Sequence, residues 1–161
     1  MKLFRSHVLV CAGTGCVASR SLAVKKALEQ ELVTRNLQEE IQVVTTGCNG
    51  FCAAGPVMVV YPDGIFYQKL TPEDMPLLVE EHFLKGRPVQ RLMYKEPAKK
   101  ELIPAMKDIP FFGLQVLRAL RNRGIIDAEK IEEYIARDGY LALDKALNSM
   151  KPEEIFREIK E

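Results

Sequence analysis

Four cysteines, Cys11, Cys16, Cys48 and Cys52, are the residues of this 161-residue chain best suited to chemistry. They form two pairs, C-x4-C and C-x3-C, with 31 residues between them and no cysteine elsewhere. Four thiolates converging on one small volume can hold a metal ion or an iron–sulfur cluster. Thiolates and inorganic sulfides carry negative charge that backbone N–H groups can stabilise. Both pairs lie among glycines, Gly13 and Gly15 in the first and Gly47, Gly50 and Gly55 around the second. Glycine lets a backbone approach closely, so these five read as neighbours of the site rather than ligands.

Other chemistries compete for the same residues. A four-cysteine zinc site in an interaction domain uses the same donors, although C-x4-C lies at the edge of the usual zinc spacing. A thioredoxin-type redox pair needs C-x-x-C, which is absent. Gly13–Ala18 matches the dinucleotide pattern G-x-G-x-x-[G/A]. The second strand, however, ends in Thr45–Thr46, where an acid should meet the ribose. A phosphatase-type phosphate loop needs an arginine six residues beyond Cys11, and position 17 is valine. The glycines favour iron–sulfur over zinc.

Short elements must position the two loops. His7–Val10 reads as a strand ending at Cys11, and Ser19 or Ser21 can cap a helix running to about Asn36. Ile41–Thr45 and Val57–Tyr61 read as strands, and Pro62–Asp63–Gly64 turns the latter into Ile65–Tyr67. Thr71–Pro72–Glu73–Asp74 opens a helix ending near Lys85–Gly86, with a threonine cap, an early proline and acids in the first turn. The order β-α-β-β-β-α fits an α/β fold of the thioredoxin-like kind.

Residues 1–87 therefore read as one domain. Residues 88–110, broken by Pro88, Pro97, Pro104 and Pro110, read as a linker. Residues 111–161 read as a helical segment. Phe111, Leu114, Leu117 and Leu120 follow one face of a helix to Arg123, with Gly124 as its stop. Asp127 can cap a second helix carrying Ile131, Tyr134 and Ile135, a third carries Leu143, Ala146, Leu147 and Met150, and Pro152 opens a fourth. With 23 basic and 22 acidic side chains, the charge balance gives no reason to expect a nucleic-acid partner. No apolar run reaches the length of a membrane span, and a cytoplasmic location is expected. In a reducing compartment four cysteines suit ligation better than disulfides.

Cys11-Ala-Gly-Thr-Gly-Cys16, Gly47-Cys48-Asn49-Gly50-Phe51-Cys52 and Gly55-Pro56-Val57 resemble the motifs of the thioredoxin-like [2Fe–2S] ferredoxins, over about residues 6–88. The resemblance implies one [2Fe–2S] cluster held by Cys11, Cys16, Cys48 and Cys52, in an electron-transfer module. Such a domain occurs alone, as the 24 kDa-type subunit of respiratory NADH dehydrogenase, and fused to other modules.

Pro110-Phe111-Phe112, the stretch from Leu117 to Gly124, the stretch from Ile131 to Tyr140 and Lys151-Pro152-Glu153-Glu154-Ile155 resemble the start of the flavin- and NADH-binding subunit. The whole chain is similar to the N-terminal part of the beta subunit of NAD(P)-dependent electron-bifurcating [FeFe]-hydrogenases. The implied partners are a flavin domain, an [FeFe]-hydrogenase subunit and a 24 kDa-type ferredoxin subunit. FMN, NAD(P)H and a [4Fe–4S] cluster belong to the parent subunit beyond this stretch. A free-standing ferredoxin with a helical tail is the alternative within the family.

Phe51, between two of the implied ligands, is expected to shield the cluster. His82 is expected on the polar, exposed side of its helix. Arg118, Arg121 and Arg123 are expected on a solvated helix face opposite the leucines, with docking to an acidic partner or to the flavin domain as the sharper alternative.

Overall fold

A computed structural model describes residues 3–161. They form two compact units, one ending at Asp127 and the other spanning Ala128–Glu161. In the first unit, strand β1 (Ser6–Cys11) pairs in parallel with β2 (Ile41–Thr46) and antiparallel with β3 (Met58–Tyr61). β3 turns antiparallel into β4 (Ile65–Tyr67), giving the sheet order β2-β1-β3-β4. The parallel β1–β2 pair requires a crossover, and helices supply it. These are α1 (Thr14–Ala18) and α2 (Ser21–Thr34). The expected single helix is thus two. Arg20, in left-handed conformation at φ 71°, starts α2 instead of a serine cap.

Side-chain alternation sorts the sheet into two buried faces. Val8, Val10, Met58, Val60 and Tyr67 face one way, toward Val24, Leu28 and Leu32 of α2 and toward Met75 and Leu78 of helix α3 (Met75–Leu78). α2 buries these residues at a spacing of four, while Leu22 stays exposed. Leu9, Cys11, Val44, Val57, Val59 and Phe66 face the other way. The second face places Cys11 on the same side of the sheet as Phe66.

That second face explains residues 88–110. They do not hang free as a linker, because both the sheet edge and the apolar face at Phe66 need covering. Gln68 N–H donates to Leu92 O (2.9 Å) and Phe66 N–H to Pro104 O (2.8 Å), continuing the hydrogen bonding beyond β4. A small hairpin, β5 (Tyr94–Lys95) with β6 (Leu102–Ile103), follows. Val89, Leu92 and Met93 join the first core, and Ile109 the second. The short helix α4 (Pro110–Gly113) then ends early. The leucine periodicity to Leu120 does not form a helix: Leu114 and Leu120 are 84% and 61% exposed, so no packing supports one.

Thr71–Pro72–Glu73–Asp74 caps its helix as the sequence indicates. The Asp74 carboxylate accepts the Thr71 N–H at 2.9 Å and an Arg91 N–H at 2.7 Å. Burial alone would push the Asp74 carboxyl up. The hydrogen bonds from Thr71 and Arg91 outweigh it and hold the group below its ordinary value.

After α3 the chain continues through a π-helical turn, Val79–Leu84. This turn carries His82 inward, and the histidine is half-buried rather than on an exposed polar side. Its Nδ1 lies 2.8 Å from the Tyr67 hydroxyl, which also accepts the Val89 N–H at 3.1 Å. With Val89 donating to it, the hydroxyl is placed to donate to a neutral imidazole. Burial, aided by Arg5 and opposed by Asp63, lowers the His82 pKa from its ordinary 6.5. The unfolded chain therefore binds this proton more readily, and the stabilisation present above pH 6.5 is lost as pH falls below it. His82→Ala is expected to cost about 1 kcal/mol in urea unfolding at neutral pH. It should also flatten the loss of stability between neutral and acid pH while leaving the visible spectrum unchanged. A spectrum altered by this substitution would contradict the separation of His82 from the cysteine site.

The second unit contains α5 (Ile131–Ile135), α6 (Leu141–Ser149) and α7 (Pro152–Lys160). Lys130, not Asp127, precedes α5 as its cap residue. Pro152 begins α7, where Glu154 accepts the Lys151 N–H at 2.8 Å. Lys145 and Glu158 pair across α6 and α7 at 2.7 Å. No residue of these three helices is buried, and Leu141, Leu143, Leu147, Phe156 and Ile159 remain exposed.

Candidate cluster-binding site

The site begins at the C-terminal end of β1. Cys11 N–H donates to Val57 O at 3.2 Å and Ala12 N–H to Thr46 O at 2.9 Å. These bonds tie the first loop to the segments leading out of β2 and into β3. Cys16 follows within α1, whose turn is closed by Val17 N–H to Gly13 O at 2.9 Å. The second loop leaves β2 at Gly47 and contains Cys48 and, on a 3-10 turn, Cys52. Lys69 N–H to Ala54 O (2.8 Å) and Leu70 N–H to Pro56 O (3.3 Å) pin its far end to the chain after β4.

The two loops interlock, glycine against cysteine. A Cβ added to Gly13 would lie 2.7 Å from Cys48 Cβ and 2.9 Å from its Sγ. One at Gly15 would lie 3.1 Å from Cys52 Sγ, and one at Gly55 would lie 3.1 Å from Cys16 Sγ. The two cysteine loops are thus packed against each other, with glycines of each beside cysteines of the other. Gly13, Gly15 and Gly55 are the residues whose lack of a side chain allows it. Gly50 contributes its backbone: at φ 81°, a left-handed conformation that glycine adopts readily, its N–H donates to Cys48 Sγ at 3.2 Å. Gly47 has no atom near its would-be Cβ, but its carbonyl accepts the Cys11 thiol at 3.7 Å.

The sulfurs differ in environment. Cys11 and Cys16 are buried, and Cys48 and Cys52 are exposed. Burial first, then a hydrogen bond with Cys11, pushes the Cys16 thiol up to about 12, against a Val57 N–H that lowers it. A proton so held must be displaced before this sulfur can ligate.

The donor set is four thiols carried by two packed loops, with the Gly50 N–H directed at Cys48 Sγ. It fits a thiolate-ligated binuclear iron cluster, in which each iron takes two protein sulfurs. Among the described residues, no three His, Cys, Asp and Glu side chains are grouped for a single metal ion.

Phe51 sits between Cys48 and Cys52 in an aromatic group that sequence order conceals. It stacks on Phe111 (centroids 4.7 Å apart, planes at 11°) and meets Phe112 edge-on at 5.5 Å. Tyr94 and Phe66 are 5.5 Å and 6.1 Å from it. In the sequence Phe111 reads as part of a helix face, and Phe112 enters only through the Pro110-Phe111-Phe112 motif. Arg123, expected on a solvated helix face, is half-buried, with its guanidinium beside Gly50.

A family model for the thioredoxin-like [2Fe–2S] ferredoxins matches residues 3–82. The chain is 34% identical over 96 residues to a 2Fe-2S ferredoxin of Clostridium pasteurianum, a match covering 55% of this chain and 94% of that relative. It is 38% identical over 96 residues to a 2Fe-2S ferredoxin of Aquifex aeolicus, covering 54% of this chain and 86% of that one. The crystal structure of the wild-type thioredoxin-like [2Fe–2S] ferredoxin from Aquifex aeolicus superimposes with a TM-score of 0.53 at 34% identity. That superposition covers 58% of this chain and 100% of that one. The sheet, the interlocked loops and these likenesses agree: the chain belongs to the thioredoxin-like [2Fe–2S] ferredoxins, whose work is electron transfer.

Proposed function

We propose that Cys11, Cys16, Cys48 and Cys52 ligate one [2Fe–2S] cluster. We further propose that the chain works as the relay module of a cytoplasmic, multisubunit NAD(P)H-linked oxidoreductase of the hydrogenase or NADH dehydrogenase type. The observation that carries the ligand assignment is the fit of Gly13, Gly15 and Gly55 against Cys48, Cys52 and Cys16. Substituting any of these glycines would fill the space the sulfurs need.

The cluster, when bound, supplies one-electron transfer. The chain's own residues hold and shield it. The Gly50 N–H donates to Cys48 sulfur and favours its charged form, and the Val57 backbone lowers the Cys16 pKa against its burial. Burial of Cys11 and Cys16 keeps water from the inner pair, and Phe51 with Phe111 and Phe112 covers part of the outer loop. The exposed Cys48 and Cys52 mark the edge at which a redox partner would come within electron-transfer distance.

Membership of a larger complex is supported by the likeness of residues 110–155 to the lead-in of the flavin- and NADH-binding subunit. Among the described residues, no helix is long and apolar enough to cross a membrane. Anaerobic affinity purification of the tagged chain from its native host is expected to bring down flavin-binding and hydrogenase-type subunits in fixed ratio. Recovery of a monomer alone under those conditions would favour a free-standing ferredoxin.

A further inference from the structure

The C-x3-C loop is contacted, between its two exposed cysteines, by a segment outside the family domain. The family match ends at residue 82, yet three consecutive loop residues between Cys48 and Cys52 are each in contact with residues 111–124. Phe111 stacks on Phe51. Arg123 Nη1 lies 3.3 Å from the position of a Gly50 Cβ. Gly124, at φ 70°, lies so close to Asn49 that any Cβ there would overlap its carboxamide oxygen. The guanidinium is not loose. Its Nη2 donates to Gln115 Oε1 at 2.9 Å, and Gln115 Nε2 in turn donates to the Phe111 carbonyl.

We propose that Arg123 is a positioning residue for charge, a cation held over the Cys48 edge that raises the reduction potential of the cluster. The inference rests on the ligand assignment above. Gly50, against which the guanidinium packs, is the residue whose N–H donates to Cys48 Sγ at 3.2 Å. One-electron reduction adds one negative charge to the cluster and its thiolates, so a nearby fixed cation favours the reduced form. Arg123 is only half-buried, and solvent screens part of the effect. Arg123 lies outside residues 3–82, the stretch the family model matches.

The test is an EPR-monitored redox titration of the loaded full chain, comparing wild type with Arg123→Gln and Arg123→Lys at low and high salt. Arg123→Gln should lower the reduction equilibrium by about 3-fold to 10-fold, which is about 28–59 mV at 59 mV per tenfold for a one-electron couple. Arg123→Lys should retain most of the wild-type potential, and salt should narrow the gap between Gln and wild type. Gln115→Met removes the anchor without touching the loop and should shift the potential the same way by a smaller factor. An unchanged potential in both Arg123→Gln and Gln115→Met would overturn the proposal, as would an equal fall in Lys and Gln variants. Failure of the ligand assignment would look different: wild type itself would give no binuclear signal to titrate.

Discussion

Cys16→Ser is expected to yield a folded but colourless chain, with iron content reduced at least about tenfold. Cys16 is buried against the second loop, with Gly55 beside its sulfur. A serine oxygen is a harder ligand than thiolate and suits iron–sulfur chemistry poorly. No water or neighbouring donor can easily replace the sulfur in that closed position. Cys11→Ser should behave alike, since Cys11 is 1% exposed. Cys48→Ser and Cys52→Ser should be milder. Their exposed positions let the loop and solvent adjust, so a weakened cluster with a shifted visible and EPR spectrum is expected. Visible absorption with iron and sulfide assays reads the whole series. Full wild-type colour in Cys16→Ser would remove that residue from the ligand set.

Gly13→Ala should be nearly as damaging, although it touches no ligand atom chemically. The new methyl would come within 2.9 Å of Cys48 Cα, which is backbone and cannot rotate away. The two loops must separate, and displacements of even a fraction of an ångström loosen a four-sulfur site. Overpacking of this kind costs about 1–3 kcal/mol, and cluster occupancy should fall with it. Gly47→Ala is the internal control. Nothing lies within 4 Å of its would-be Cβ, so iron content should stay at the wild-type level. Thermal unfolding and iron assays of the two variants side by side decide the matter. Equal behaviour of the pair would contradict the interlocked-loop account.

Much of the site was legible because its determinants are local. The cysteine pairs and the glycines beside them lie within a few residues of one another. The Thr71–Asp74 cap and the Pro62–Asp63–Gly64 turn are equally local, and both form. What was hidden depends on distant packing. Val89, Leu92, Met93 and Ile109 have no shared period and lie among prolines, so they read as a linker. Their burial follows only from the open edge at β4 and the uncovered face at Phe66. The leucines of 114–120 show the opposite error: helical spacing with no surface to pack on. His82 departs from the exposed polar face that helical spacing indicates because a π-helical turn alters the face it presents, and Tyr67, 15 residues earlier, supplies its partner. The aromatic cover on Phe51 draws on residues from 66 to 112, a grouping that spacing alone does not encode.

We propose that the two cysteine pairs together hold one binuclear iron–sulfur cluster. Iron, acid-labile sulfide and zinc analysis of the anaerobically purified full chain, with EPR after dithionite reduction, tests it most directly. Two iron and two sulfide per chain, no stoichiometric zinc and a rhombic signal from one unpaired electron are expected. One zinc per chain, with no colour and no signal, would contradict it.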